Sequence, residues 1–172
     1  MTIVVLITGL PGSGKSRIAK ELNKKLKAQI LRLDEIRQII TPKPDYSREE
    51  REYVYRTLAY MAYVLAKNNV NVIVDATDNL NIGRTTLKRL MKDVFVVQLK
   101  CPIEICAKRE MRRKDKAGII DLYKRVKKGK IKIPGLGQKY VYEKKALILI
   151  ETNKVNSDLA ASIIYERIKR FL

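Results

Sequence analysis

Five short apolar runs punctuate the chain: TIVVLI at 2–7, AQILRL at 28–33, VNVIV at 70–74, VFVVQL at 94–99 and ALILI at 146–150. Each is strand-length and rich in β-branched residues. Their nearly continuous hydrophobicity, without polar alternation, predicts strands covered on both faces, as in a parallel sheet. Between them the apolar spacing changes to the helical period. Residues 15–27 place Ile18, Ala19, Leu22 and Leu26 on one face. The segment 46–69 opens with Ser47 and Glu50 in capping-box spacing and repeats Val54, Leu58, Met61 and Leu65. The last segment, 156–172, starts with cap-type residues and predicts Leu159, Ile163, Ile164, Ile168 and Phe171 as its buried face. Five strands alternating with helices predict an open, doubly wound α/β domain: a five-stranded parallel sheet with helices on both faces.

At 172 residues the chain reads as one domain spanning 1–172. With 46% apolar and 32% charged residues, it falls among globular rather than disordered chains. The apolar runs are too short to span a bilayer, and the start lacks the basic n-region and cleavage site of a signal peptide; a cytoplasmic location and no membrane partner are expected. Cys101 and Cys106 stand in CPIEIC, where Pro102 suits the first turn of a helix, and they read as buried thiols. Histidine is absent, so any proton acceptor must be a carboxylate, a lysine or water.

The formal charge of +19 changes the picture more. Residues 108–145 hold 15 basic and 4 acidic side chains, which puts +11 in that stretch alone. An anionic partner is implied, either nucleoside phosphates or a polynucleotide, with the solvated surface of a heat-adapted protein as the third possibility. The basic segment 108–139 interrupts the last strand–helix–strand unit and reads as a mobile, lid-like insert.

GLPGSGKS at 9–16 follows the first apolar run and precedes an amphipathic helix. Gly9, Gly14, Lys15 and Ser16 satisfy G-x-x-x-x-G-K-[ST]. In such a loop the amides around Gly9, Gly12, Ser13 and Gly14 turn toward a phosphate, Lys15 supplies a point charge, and the Ser16 hydroxyl is offered to Mg²⁺. The loop is expected to hold the phosphates of ATP or GTP. GLPGSG is not G-x-G-x-x-G, which argues against a dinucleotide fingerprint.

The acceptor side is sought at the carboxyl ends of the strands. Asp34 follows the second run in LRLDEIR, with Arg37 one turn later on the same helix face. A carboxylate there orients or deprotonates an attacking hydroxyl and the arginine neutralises the phosphoryl group in flight; capping of the helix that follows is the alternative for Asp34, and one does not exclude the other. Asp75 ends the third run in VIVDATDNLNIGR, placed to hold Mg²⁺ or assist the acceptor, and Arg84 is a candidate to reach back to that side; turn and capping chemistry is the alternative for this segment.

These residues resemble the small P-loop kinases and, within them, the adenylylsulfate kinases, which phosphorylate the 3′-hydroxyl of adenosine 5′-phosphosulfate with MgATP. The resemblance rests on Leu31 to Arg37 against LDGD..R, on Tyr46 to Arg51, and on Cys106 and Arg109 followed by DLYKRVKKGKIKIPGLGQKYVYE and LILIET. It implies a nucleotide-like acceptor held by Arg37, Tyr46, Arg51 and Lys132, with Arg109 stacking on the ATP adenine and dimers as the common assembly. Arg112 and Arg113 join Arg109 as lid arginines, and the lysines and arginine from 124 to 132 line the acceptor site or a polynucleotide track. This chain departs from the family pattern in having Arg32 for its first aspartate, Val54 for an asparagine and Ile133 for the second of two phenylalanines around the acceptor purine. DATDNLNIGR also lacks the family's Ser-Pro-x-Arg and is similar to polynucleotide 5′-kinases, so a polynucleotide or tRNA kinase and a non-catalytic nucleic-acid-binding module stay open as alternatives.

Overall fold

The structure is a computed structural model that describes residues 2–113, 122–129, 133–135 and 137–172. Its elements, in chain order, begin with β1 (Val4–Thr8), α1 (Lys15–Leu26), β2 (Gln29–Arg32), α2 (Leu33–Ile40), α3 (Arg48–Lys67), β3 (Val72–Asp75) and α4 (Ile82–Leu90). They continue with β4 (Val94–Lys100), α5 (Ile103–Met111), α6 (Leu122–Lys127), β5 (Ile133–Pro134), β6 (Gly137–Gln138), β7 (Ile148–Glu151) and α7 (Ser157–Ile168), which ends in a 3-10 turn.

Five strands form one parallel sheet in the order β2-β3-β1-β4-β7. The unbroken apolar run of β1 follows from its central place. Val4 and Leu6 enter a core shared with α3, while Ile3, Val5 and Ile7 enter one shared with α1 and α7. The chain runs from β1 to β2 and β3 on one side and then crosses from β3 to β4 on the other, so the crevice at the carboxyl end of β1 is the switch point where α/β sheets bind ligands. The loop 9–16 emerges there.

The α1 face is buried as expected, at Ile18, Ala19, Leu22 and Leu26. In α3 the buried face is Val54, Tyr55, Leu58, Ala59, Ala62 and Ala66, so Met61 is turned outward. The small alanines allow α3 to lie close to the sheet and α4, a preference that apolar spacing alone does not register. In α7 the same substitution occurs: Ala160 and Ala161 are buried and Leu159 is exposed. The expected lid-like insert packs, in its described parts, against the phosphate loop. Leu122, Tyr123, Ile133 and Tyr140 surround Leu10, Cys101 and Cys106 in a third apolar cluster. Both thiols are free and buried, and burial, with Cys101 adjacent, pushes the Cys106 thiol up to about 12. Among the described residues no helix is long and apolar enough to cross a membrane.

Candidate active site

Gly14 caps α1 with φ +99° and Gly12 has φ +78°, the left-handed region that side chains rarely adopt. A Cβ on Gly12 would stand 2.2 Å from the carbonyl oxygen of Cys106, so the loop is pressed against α5. Lys15 folds back over the loop, its Nζ donating to the carbonyls of Gly9 and Leu10 at 3.1 and 3.0 Å. Ser13 is fully buried and its Oγ has no hydrogen-bond partner among the described residues. A buried hydroxyl left unpaired inside a glycine cradle fits a loop that closes around an anion.

Asp75 ends β3 beside this loop. The Ser16 hydroxyl and the Lys15 ammonium stand close enough to its carboxylate to favour the charged form. Burial pushes its carboxyl above the ordinary range, Lys15 and Ser16 oppose this, and neighbouring Asp34 adds to the rise. One hydroxyl and one buried carboxylate beside a phosphate cradle are the donor set Mg²⁺ takes when substrate phosphates and water complete its shell.

Asp34 lies in the first turn of α2, whose N-cap is Arg32, and faces a cavity of about 390 Å³. Pro11 of the phosphate loop forms one wall of this cavity, and Arg37, Tyr46 and Arg51 line it with Asp34. Tyr46, at φ +58°, lies under the Arg37 guanidinium, 5.2 Å from ring centroid to Cζ. Arg37 also pairs with Glu50, which accepts from the amides of Asp45 and Tyr46 as well. Half of the expected capping box is therefore present, the Glu50 amide donating to Ser47 Oγ at 3.1 Å, while the Glu50 side chain serves the cavity wall. Ile133 lines the same cavity, and Lys132 lies outside the described residues.

Two arginines sit differently from the sequence expectation. Arg84 turns into the protein at 2% exposure: its Nε donates to Asp78 Oδ2 at 3.0 Å and its other nitrogens reach Asn81 and Glu143. Asp78 is itself buried and also accepts from the amides of Gly83 and Arg84. Arg84 thus braces the turn before α4 rather than lining the cavity at Asp34, because Asp78 offers it a buried countercharge that linear spacing does not reveal. Replacing Asp78 by Asn removes the guanidinium's nearer, fully buried countercharge and leaves Glu143 at 3.4 Å, and we expect a loss of about 3 kcal/mol, or roughly 6–12 °C in Tm at this chain length, read by thermal melting. Arg113, expected over ATP, places Nη2 3.6 Å from Asp34 Oδ2 and lines the same cavity as Asp34. Arg109 packs at the far side of the loop, donating to Thr152 Oγ1 at 3.2 Å and to the Thr152 carbonyl at 2.8 Å.

Contacts between distant segments supply the parts that motif reading missed. Tyr123 of α6 donates to the Pro11 carbonyl at 2.8 Å, tying the insert to the phosphate loop. Asn79 clamps the returning chain, donating to the Lys139 carbonyl and accepting from the Val141 amide. Only the place of Asn79 in the turn between β3 and α4 could have drawn notice in the sequence.

The adenylylsulphate kinase family model matches residues 1–151. The chain belongs to this family. An adenylyl-sulfate kinase from Clostridium acetobutylicum is 30% identical over 97% of this chain and 83% of its own length. A probable adenylyl-sulfate kinase from Archaeoglobus fulgidus is 28% identical over 90% of this chain and 98% of its own. Among solved structures, the Mycobacterium tuberculosis APS kinase in complex with AMPPNP and APS matches 98% of both chains with a TM-score of 0.85 at 24% identity, a likeness of fold. A sugar kinase from Janibacter reaches a TM-score of 0.75 at 16% identity, so the fold by itself does not name the acceptor. Family membership does: the chain is an ATP-dependent kinase that phosphorylates a hydroxyl, with adenylylsulfate as the family's acceptor.

Proposed function

We propose that this kinase passes the γ-phosphoryl group of MgATP to the 3′-hydroxyl of adenosine 5′-phosphosulfate, with Asp34 as the carboxylate that receives the hydroxyl proton. The observation that carries the reading is the shared wall: Asp34 and Pro11 border one cavity, so the acceptor chamber opens onto the phosphate cradle. Gly9, Gly12, Ser13 and Gly14 surround the triphosphate, and Lys15 leaves its two loop carbonyls to meet the β- and γ-phosphates. Ser16 and Asp75 are the residues that would hold Mg²⁺, which would supply positive charge against the phosphate oxygens. Arg109, fixed by Thr152, offers its guanidinium plane to adenine.

On the acceptor side Tyr46 and Ile133 both line the cavity and offer an aromatic and an aliphatic surface to a purine, and Arg37, Arg51 and Arg113 supply positive charge for its phosphosulfate. Asp34 orients the hydroxyl for in-line attack while the packed insert keeps water out. Incubation with MgATP and adenosine 5′-phosphosulfate is expected to yield the 3′-phosphorylated product, read by mass spectrometry. The dense positive charge of 108–145 supports the alternative acceptor, an RNA or DNA end. Labelled transfer to oligonucleotides, falling steeply with salt and accompanied by no transfer to adenylylsulfate, would establish that alternative in its place.

A further inference from the structure

Arg32 stands where the family pattern has an aspartate, and the fold puts that charge reversal at the phosphate end of the sheet. In the parallel register Arg32 of β2 lies directly beside Asp75 of β3. Its Nε is 3.8 Å from Asp75 Oδ2, and its Nη1 is 2.5 Å from Glu35 Oε1. The guanidinium is largely covered, at 13% exposure, whereas Glu35 is 52% exposed. Among the described residues, Lys15 and Arg32 stand on the positive side of Asp75 and Asp34 on the negative, with Glu35 at the solvent edge of Arg32.

We propose that Arg32 is a built-in counter-cation of the triphosphate site, acting through Asp75, so that this kinase divides the neutralisation of its nucleotide between the protein and the divalent ion. The inference rests on the reading of Asp75 as an Mg²⁺ ligand. A fixed positive charge within 4 Å of a ligand oxygen repels an incoming cation and attracts the polyphosphate that accompanies it. Glu35 moderates the effect without cancelling it, because a half-exposed carboxylate is screened by water. Metal affinity should therefore be low and metal-free nucleotide affinity high compared with the same site lacking the arginine.

The test uses Mn²⁺ as a spectroscopic probe and AMPPNP as the nucleotide, with the full chain. Mn²⁺ affinity of the protein–AMPPNP complex is read by electron paramagnetic resonance, and AMPPNP affinity in EDTA by calorimetry. Arg32→Gln is expected to tighten Mn²⁺ about tenfold and to weaken metal-free AMPPNP about tenfold, the scale set by one unit charge close to a partly screened site. Arg32→Lys retains the charge and is expected to stay near the parent in both, while Glu35→Gln weakens Mn²⁺ a few-fold by unmasking Arg32. Opposite movements of the two affinities separate an electrostatic role from local damage, which lowers both. Unchanged affinities in Arg32→Gln, or a fall in both, overturn the proposal. Asp75→Asn separates the two readings. If it leaves Mn²⁺ affinity unchanged, the metal role of Asp75 falls and this inference with it; if it weakens Mn²⁺ while Arg32→Gln does nothing, the inference alone fails.

Discussion

Lys15→Ala is expected to lower kcat/KM for MgATP by about three orders of magnitude, the scale on which a single preorganised charge at developing phosphoryl charge acts. The argument starts from the ammonium's present partners. Nζ holds the carbonyls of Gly9 and Leu10, two loop acceptors it can exchange for phosphate oxygens without crossing the protein. The side chain therefore organises the free loop and neutralises the bound nucleotide in turn. Lys15→Arg should recover little of the loss, because a planar fork cannot replace a compact charge in a loop whose glycine Gly12 is already pressed against α5. Since Lys15 belongs to none of the apolar clusters, its loss should leave the melting temperature nearly unchanged. Initial rates, nucleotide titration and a thermal melt on each variant separate these effects; near-parent turnover in Lys15→Ala would remove the loop from the chemistry.

How much of this site was legible in the chain depends on the range of the contacts that make it. The phosphate loop is a local object: glycines, lysine and serine at fixed spacing between a strand and a helix, all decided within a dozen residues. The placement of Asp34 and Asp75 was also legible, because a carboxylate following an apolar run falls at the crevice of a parallel sheet. Sequence spacing failed where a partner decides direction. Arg84 and Arg113 are both arginines near the expected site, yet one is drawn inward by Asp78 and the other across the cavity mouth to Asp34, 79 positions away in the sequence. Met61 and Leu159 satisfied the helical period and were displaced by alanines, since close packing rewards fit over hydrophobicity. The insert illustrates both regimes. Its basic composition was plain, but its docking depends on Tyr123 reaching Pro11 and on Ile133 and Tyr140 closing over Leu10.

The docked insert also bears on the acceptor carboxylate. Arg113 holds Asp34 from the insert side, while Asp75 faces it from β3. At 43% exposure the Asp34 carboxylate remains open to an incoming alcohol, which a fully buried and fully paired one would not be.

Asp34→Asn therefore tests the chemistry most directly. The amide matches the carboxylate in size and can still hydrogen-bond a hydroxyl, but it cannot accept its proton. Turnover is expected to fall by about 10²–10⁴-fold, the usual contribution of a positioned general base, with nucleotide affinity close to the parent because the loop contacts of Lys15 are untouched. The ion pair to Arg113 is lost as well, but a half-exposed pair at 3.6 Å contributes little to folding, so the melting temperature should move by a few degrees at most. Arg113→Gln distinguishes orientation from proton transfer. It leaves the carboxylate in place, so its loss of turnover should be smaller than that of Asp34→Asn. Equal turnover in Asp34→Asn and the parent, at saturating acceptor, would mean that the hydroxyl surrenders its proton elsewhere and that the acceptor chamber has been assigned the wrong carboxylate.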